Sequence, residues 1–359
     1  MKLLFTILFF LSITSKIYAI DTKATEAIVY DYNSQEILFE KNADIKTYPA
    51  SMTKILTTYI VFDRIKNTNL SLSDKCSVSP KAYRMGGSRM FLEVSSKVTI
   101  NDLLKGIIVQ SGNDASVTIA ECLSGTEEDF ALIMNEYAKK IGMKNTNFSN
   151  SSGWPDKKHY STVKDLLLLS NKLILDFPKY YQYFKEKKFK YNNINQPNRN
   201  KLLVHVEGTD GLKTGYTKDS GYGIASSVIR DERRISVVIN GSKTSRERLN
   251  ESEKLLEEIS TNYIPPEKPI FKLPGSSVRD KMYEILDKLY IEKKILNHGL
   301  EVGKQLAFVL SGGNTSIEKE LSENDMYALE LEVFMNLIQK PKTQERIKYT
   351  LETGKPLVN

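Results

Sequence analysis

Residues 51–65 hold Met52, Ile55, Leu56, Tyr59, Ile60 and Phe62, which together cover most of the circumference of a helix. A helix that is apolar on nearly all sides has no face to offer water and is buried in the middle of a domain. Pro49-Ala50 stands just ahead of it, where a proline suits a helix start. Whatever this chain folds into must therefore wrap residues 51–65 on every side.

The wrapping elements can be read from periodicity. Residues 27–32 alternate in strand fashion, Asn33-Ser34 can turn, and residues 37–40 can return, which predicts a hairpin. Helical spacing then covers 102–109, 115–122, 128–141 and 164–175. Strand signals come back at 222–229 and 235–240, joined by the charged turn 230–234, and an amphipathic helix follows over 246–259. Strands that open and close a domain with helices between them predict an α/β (α+β) fold. Its antiparallel sheet is built from both ends of the segment, flanked by helices and a helical subdomain. Asp210-Gly211 reads as a turn and the lysine-rich stretch 185–190 as a solvated loop. The Pro-rich stretch 263–269 predicts a linker, so that 20–264 form one domain and 265–359 a C-terminal extension with helices over 277–296 and 323–339.

Lys2, the short apolar run Leu3 to Leu11 and a passable cleavage site at Ile17-Tyr18-Ala19 predict a secretory signal over 1–19. The protein is then expected to be exported. No later segment is long and apolar enough to span a bilayer. Cys76 and Cys122 are read as two independent core thiols, with pairing the alternative in an exported protein. Neither cysteine has a histidine or second cysteine at ligand spacing, which argues against a zinc enzyme; no metal and no cofactor are expected. His159 and His205 are read as surface or partly buried. The net charge of +7 permits peripheral contact with anionic surfaces such as cell wall or lipid head groups. No recognition motif accompanies that charge, so no nucleic-acid partner is expected.

Three short motifs follow one another: Ser51-Met52-Thr53-Lys54 at the start of the buried helix, Ser111-Gly112-Asn113 in a polar break between helices, and Lys213-Thr214-Gly215 ahead of a strand. Singly each is weak; together and in this order they are the trio of the serine β-lactamases and penicillin-binding proteins, with Asn at the third position of the middle motif. The chemistry explains the residue types. A serine hydroxyl needs a base to become a nucleophile, and residues three apart on a helix share a face, so Lys54 can reach Ser51. A lysine is a base at neutral pH only if burial or a second cation, here Lys213, lowers its pKa. The helix start favours the negative tetrahedral intermediate, whose oxyanion the Ser51 N–H can meet. Ser111 can pass a proton to the departing amine, Asn113 can bond the substrate amide, and the strand edge after Lys213 can pair with an extended peptide.

The stretches Pro49 to Lys54, Val109 to Ala115 and Asp210 to Thr217, with Gly87 to Phe91, Ser152-Gly153-Trp154 and Gly241 to Glu253, resemble the low-molecular-mass D-alanyl-D-alanine carboxypeptidases. The resemblance covers about 24–264. It implies a β-lactamase/transpeptidase-like fold, removal of the terminal D-alanine from peptidoglycan pentapeptides through an acyl-enzyme on Ser51, and acylation of that serine by β-lactam antibiotics. By matching position it implies Lys54 as base, Ser111 and Asn113 in the second motif, Lys213 as a substrate contact, the Tyr216 N–H as second oxyanion donor, and Thr214 with Arg248 as holders of the substrate carboxylate. Residues 270–359 depart from the family's β-rich tail. A muropeptide endopeptidase, a serine β-lactamase and an inactive wall-binding module on the same fold stand as alternatives.

Overall fold

In a computed structural model that describes residues 21–262, 270–317 and 319–359, the sheet is closed by the first and last strands of the leading unit. Its strands are β1 (Glu26–Asp31) and β2 (Glu36–Lys41) from the start of the chain. Two small pairs intervene, β3 (Lys75–Ser77) with β4 (Lys97–Thr99) and β5 (Lys188–Tyr191) with β6 (Ile194–Pro197). The last three sheet strands are β7 (Thr209–Thr217), β8 (Gly221–Arg230) and β9 (Arg233–Ser242). The spatial order is β2-β1-β9-β8-β7, antiparallel throughout, with Val29 opposite Val237 and Ile28 opposite Val238. Asp231 and Glu232, both at positive φ, make the tight turn between β8 and β9 that suits the twist of a hairpin.

Alternation along β1 decides what covers each face. Ile28 points to the side that holds α1 (Lys54–Asn67) and the helix Val163–Asp176, together with Leu212, Ala225 and Val238. Ala27 and Val29 point the other way, to Leu255, Leu256 and Ile259 of the long helix over Ser245–Asn262. As the apolar pattern demands, every residue of α1 from Lys54 to Phe62 is buried. Ile55, Leu56, Ile60 and Phe62 are fully enclosed, each contributing about 1.5–3 kcal/mol of transfer free energy.

Between the sheet ends lie the helices Ile100–Lys105, Asn113–Ser124 and Glu127–Ile141. Thr99, Thr126 and Thr162 each accept a hydrogen bond from the N–H three residues on, at the start of the helix that follows. Cys76 on β3 and Cys122 on the 113–124 helix form a disulfide, their Cα atoms 5.5 Å apart. This corrects the expectation of two independent thiols: packing of strand on helix brings together residues 46 apart in sequence.

Two further expectations change. Asp210 and Gly211 lie inside β7, not in a turn. The Asp210 carboxylate is buried, accepting from Tyr181 Oη at 2.8 Å and from Arg234 Nη2 at 2.8 Å. Residues 188–190 of the lysine-rich stretch form part of the β5–β6 ribbon, because Phe189 turns inward while its lysine neighbours face water.

The described residues fall into two compact units, 21–262 and 270–359; the expected signal segment and the linker lie outside the described residues. The second unit carries helices over Ser276–Ile291, Asn297–Leu310, Glu323–Ile338 and Pro341–Thr353. A short antiparallel pair joins Ile270–Lys272 to Glu320–Ser322. The second and fourth of these helices and the strand pair were not legible in the sequence.

Candidate active site

Ser51 does not begin the α-helix itself. It lies in a 3₁₀ turn, Ala50–Thr53, that feeds α1. Ala50, immediately before it, sits at φ +48°, a left-handed conformation that costs a non-glycine residue about 1–2 kcal/mol. Such strain persists where surrounding structure over-determines it, as around functional groups. Ser111 shares the feature at φ +68°, where a π-helical turn over Gly106–Gln110 ends.

Lys54 is fully buried, and its Nζ donates to Ser51 Oγ at 2.9 Å, Asn113 Oδ1 at 2.7 Å and the Ser152 carbonyl at 2.6 Å. Burial lowers its pKa from the ordinary lysine value to about 7, against the opposing pull of Asp114 and Glu127. Asn113 is held in turn by donating from Nδ2 to the Gly86 carbonyl at 2.8 Å. Asp114 next to it accepts from the Met90, Phe91 and Leu92 N–H groups, which fixes the wall of residues 86–92 to the second motif.

Lys213, only 2% exposed, donates to the Thr214 carbonyl at 3.3 Å. Its pKa is pushed well below the ordinary value, first by burial and then by Lys54, Arg199 and Arg248. Burial is the largest cause of the lowering at both lysines.

Above these lysines opens a cleft of about 950 Å³, lined by Ser51, Ser111, Asn113, Thr214, Tyr216 and Arg248 among others. The structure thus gathers Ser51, Lys54, Ser111, Asn113, Lys213, Thr214, Tyr216 and Arg248 at one place, from four segments far apart in sequence. The charged side chains on its wall are Lys187, Arg199, Lys201, Lys218 and Arg248, with no carboxylate among them. Arg248 is buried, its guanidinium 5.8 Å from the Tyr222 ring centre, and burial lowers its pKa to about 10. Tyr222 also stacks on Tyr216 at 4.2 Å.

Sequence reasoning missed two contributors. The Ser152 carbonyl anchors Lys54, and a backbone acceptor leaves no chemical signature in a sequence. His159, expected at the surface or partly buried, is buried almost completely and touches Thr53, the residue before Lys54.

The sheet, its helical flank and a serine–lysine pair at the foot of the central helix define the β-lactamase/transpeptidase-like class. The model of the D-alanyl-D-alanine carboxypeptidase family matches residues 13–243, and the chain belongs to that family. It is 43% identical over 236 residues to the Escherichia coli D-alanyl-D-alanine carboxypeptidase DacC, a match that takes in 64% of this chain and 59% of the relative. The chain thus spans about three-fifths of the length of that relative. Among solved structures, penicillin binding protein 5 from Haemophilus influenzae aligns with a TM-score of 0.66 at 36% identity, over 71% of this chain and 74% of the other. Penicillin-binding protein D2 from Listeria monocytogenes, in its ampicillin-bound form, aligns with a TM-score of 0.61 at 32% identity, over 66% and 97%.

Proposed function

We propose that this chain is a serine D-Ala-D-Ala carboxypeptidase that removes the terminal D-alanine of peptidoglycan peptides and is acylated by β-lactams at the same serine. The observation that carries the reading is Lys54 Nζ, 2.9 Å from Ser51 Oγ and lowered to about 7 by burial. At that pKa the amine is neutral in a large fraction of molecules at physiological pH, as a general base must be.

The steps balance without any further reagent. Ser51 Oγ attacks the carbonyl carbon of the scissile amide while Lys54 takes its proton. The oxyanion is met by the N–H groups of Ser51 and Tyr216. As the C–N bond breaks, Ser111 hands its proton to the departing D-alanine nitrogen and is reprotonated by the Lys54 ammonium, which returns Lys54 to its neutral form. Water then attacks the ester, with Lys54 again as base, and the acyl peptide leaves with Ser51 restored. Asn113 bonds the substrate amide, Thr214 and Arg248 take the terminal carboxylate, and Lys213 is a further substrate contact. An anion arriving beside Lys213 favours its charged form and offsets the depression caused by its cationic neighbours. A wall bearing five basic residues and no carboxylate suits an anionic peptide.

Two observations bear on the alternatives and the compartment. Glu127, a buried carboxylate behind the site, accepts from Ser151 and pairs with Lys81, and is not one of the cleft's lining residues. That supports a long-lived acyl-enzyme over a β-lactamase, which needs a carboxylate to ready the deacylating water. The Cys76–Cys122 disulfide supports export to the periplasm or the outer face of the bacterial cytoplasmic membrane, since such bonds persist in oxidising compartments. Among the described residues no helix is long and apolar enough to cross a membrane.

A fluorescent penicillin tests the reading. Long-lived label on Ser51, absent in Ser51→Ala, together with release of D-alanine from a D-Ala-D-Ala peptide, is the expected result. Rapid loss of label would favour a β-lactamase, and no label an inactive module.

A further inference from the structure

Behind the Ser51 turn lies a buried histidine for which the proposed chemistry has no use. His159 is 2% exposed and ends the segment 149–159. That segment reaches the site three times: the Ser152 carbonyl takes Lys54 Nζ, Gly153 packs on Ala50, and Trp154 lines the cleft.

The ring's two hydrogen bonds fix its proton. The Ser149 N–H donates to His159 Nδ1 at 3.1 Å. A nitrogen that accepts carries no hydrogen, so in the neutral ring the proton is on Nε2. His159 Nε2 stands 2.8 Å from Thr53 Oγ1, which therefore accepts. Thr53 is fully buried in the 3₁₀ turn between Ser51 and Lys54. One ring thus ties the root of the 149–159 segment to the turn that carries the nucleophile.

We propose that His159 is a positioning residue for the Ser51–Lys54 pair, its neutral ring latching the segment that supplies the Ser152 carbonyl to the turn that supplies Ser51. This rests on the reading of Ser51 as nucleophile and Lys54 as base. A charged ring would carry hydrogen on both nitrogens and set Nδ1–H against the Ser149 N–H. The surroundings oppose that form. Burial lowers the His159 pKa to about 4, with Asp156 favouring the charged ring and Lys54 opposing it. The other groups on the ring are uncharged: Thr53, Ser149 and the Phe148 ring, whose centre is 5.4 Å away. The latch therefore keeps one charge state while Lys54 changes its own near pH 7.

His159→Gln and His159→Phe in the full chain test this. Glutamine can accept from Ser149 through its carbonyl and donate to Thr53 through its amide. Phenylalanine fills the space and does neither. His159→Phe is expected to slow acylation by fluorescent penicillin roughly tenfold or more, since small displacements of reacting groups are costly. The midpoint of its pH profile should also rise, because a loosened segment admits water to Lys54. His159→Gln should stay within about threefold of the unaltered protein and keep its midpoint, the geometry being preserved. Equal rates in all three proteins, or Gln as slow as Phe, would overturn the latch. An independent readout is ¹⁵N NMR of the histidine ring in the unaltered protein, which has three histidines in all. A hydrogen-free Nδ1 at neutral pH supports the latch, and a hydrogen on Nδ1 overturns it, whether or not Ser51 is the labelled residue. If Phe does not fold, the Gln profile and the ring spectrum decide.

Discussion

Gly153 lies so close to Ala50 that a Cβ built on it would stand 1.8 Å from the Ala50 carbonyl oxygen. Its φ of +79° is likewise one that glycine adopts without strain. The backbone that presents Ser51 and the backbone that anchors Lys54 are thus in direct contact, and the space between them admits no side chain.

Gly153→Ala should therefore separate Ser51 from Lys54 and lower the acylation rate by roughly a hundredfold. Gly125→Ala is the control, because Gly125 also has positive φ (+84°) but nothing within 4 Å of a new Cβ. It should cost only backbone strain, about 1 kcal/mol in a melt, and leave acylation unchanged. Equal acylation by both variants would mean that the contact at Gly153 does not set the geometry.

Acylation should follow the charge of Lys54. The protonated amine cannot accept a proton from Ser51. With a value lowered to about 7, the rate should climb about tenfold per pH unit below 7 and level off above it, making pH 5 roughly a hundredfold slower than the plateau. Stopped-flow labelling from pH 5 to 9 measures this. A flat profile, or a midpoint near the ordinary lysine value, would remove Lys54 as the base.

Arg248 should distinguish substrates by their ends. Its planar fork suits a carboxylate, and among the described residues it forms no ion pair with its helix neighbours Glu247, Glu251 and Glu253. Losing a buried charge contact costs about 2–5 kcal/mol. Arg248→Ala should lower kcat/KM on a free-carboxylate peptide by roughly thirtyfold or more, while turnover of the matching C-terminal amide changes little. Parallel losses on both substrates would make Arg248 a support of the fold instead.

Breaking the Cys76–Cys122 bond should destabilise without disarming. Closing a loop of 46 residues stabilises by about 4 kcal/mol in the chain-entropy account. For a unit of this size that corresponds to roughly 10 °C in Tm. Cys76→Ser/Cys122→Ser should melt lower by about that much and still acylate at 25 °C, since neither cysteine lines the cleft. A Tm unchanged by both substitution and reduction would show that the bond is absent in solution.

The sequence by itself determined the parts of this protein whose information is local. Ser51 and Lys54 are three apart, so any helical turn puts them on one face. The all-round apolar run after them requires burial, and the strand signals at 27–32, 222–229 and 235–240 call for one antiparallel sheet built from both ends of the segment. What only the tertiary structure decided are the relations between distant residues. Cys76 meets Cys122 because a strand packs on a helix. Asp210 leaves its expected turn because Arg234 and Tyr181 offer it a buried pairing. Lys54 gains Asn113 because the second motif packs beside it, and it gains the Ser152 carbonyl, as His159 gains Thr53, because the 149–159 segment folds back onto the Ser51 turn and the start of α1. In each case the deciding quantity is how much water is excluded and which polar group takes its place. It depends on the neighbours that folding assembles around a residue, and the residue's own identity does not encode them.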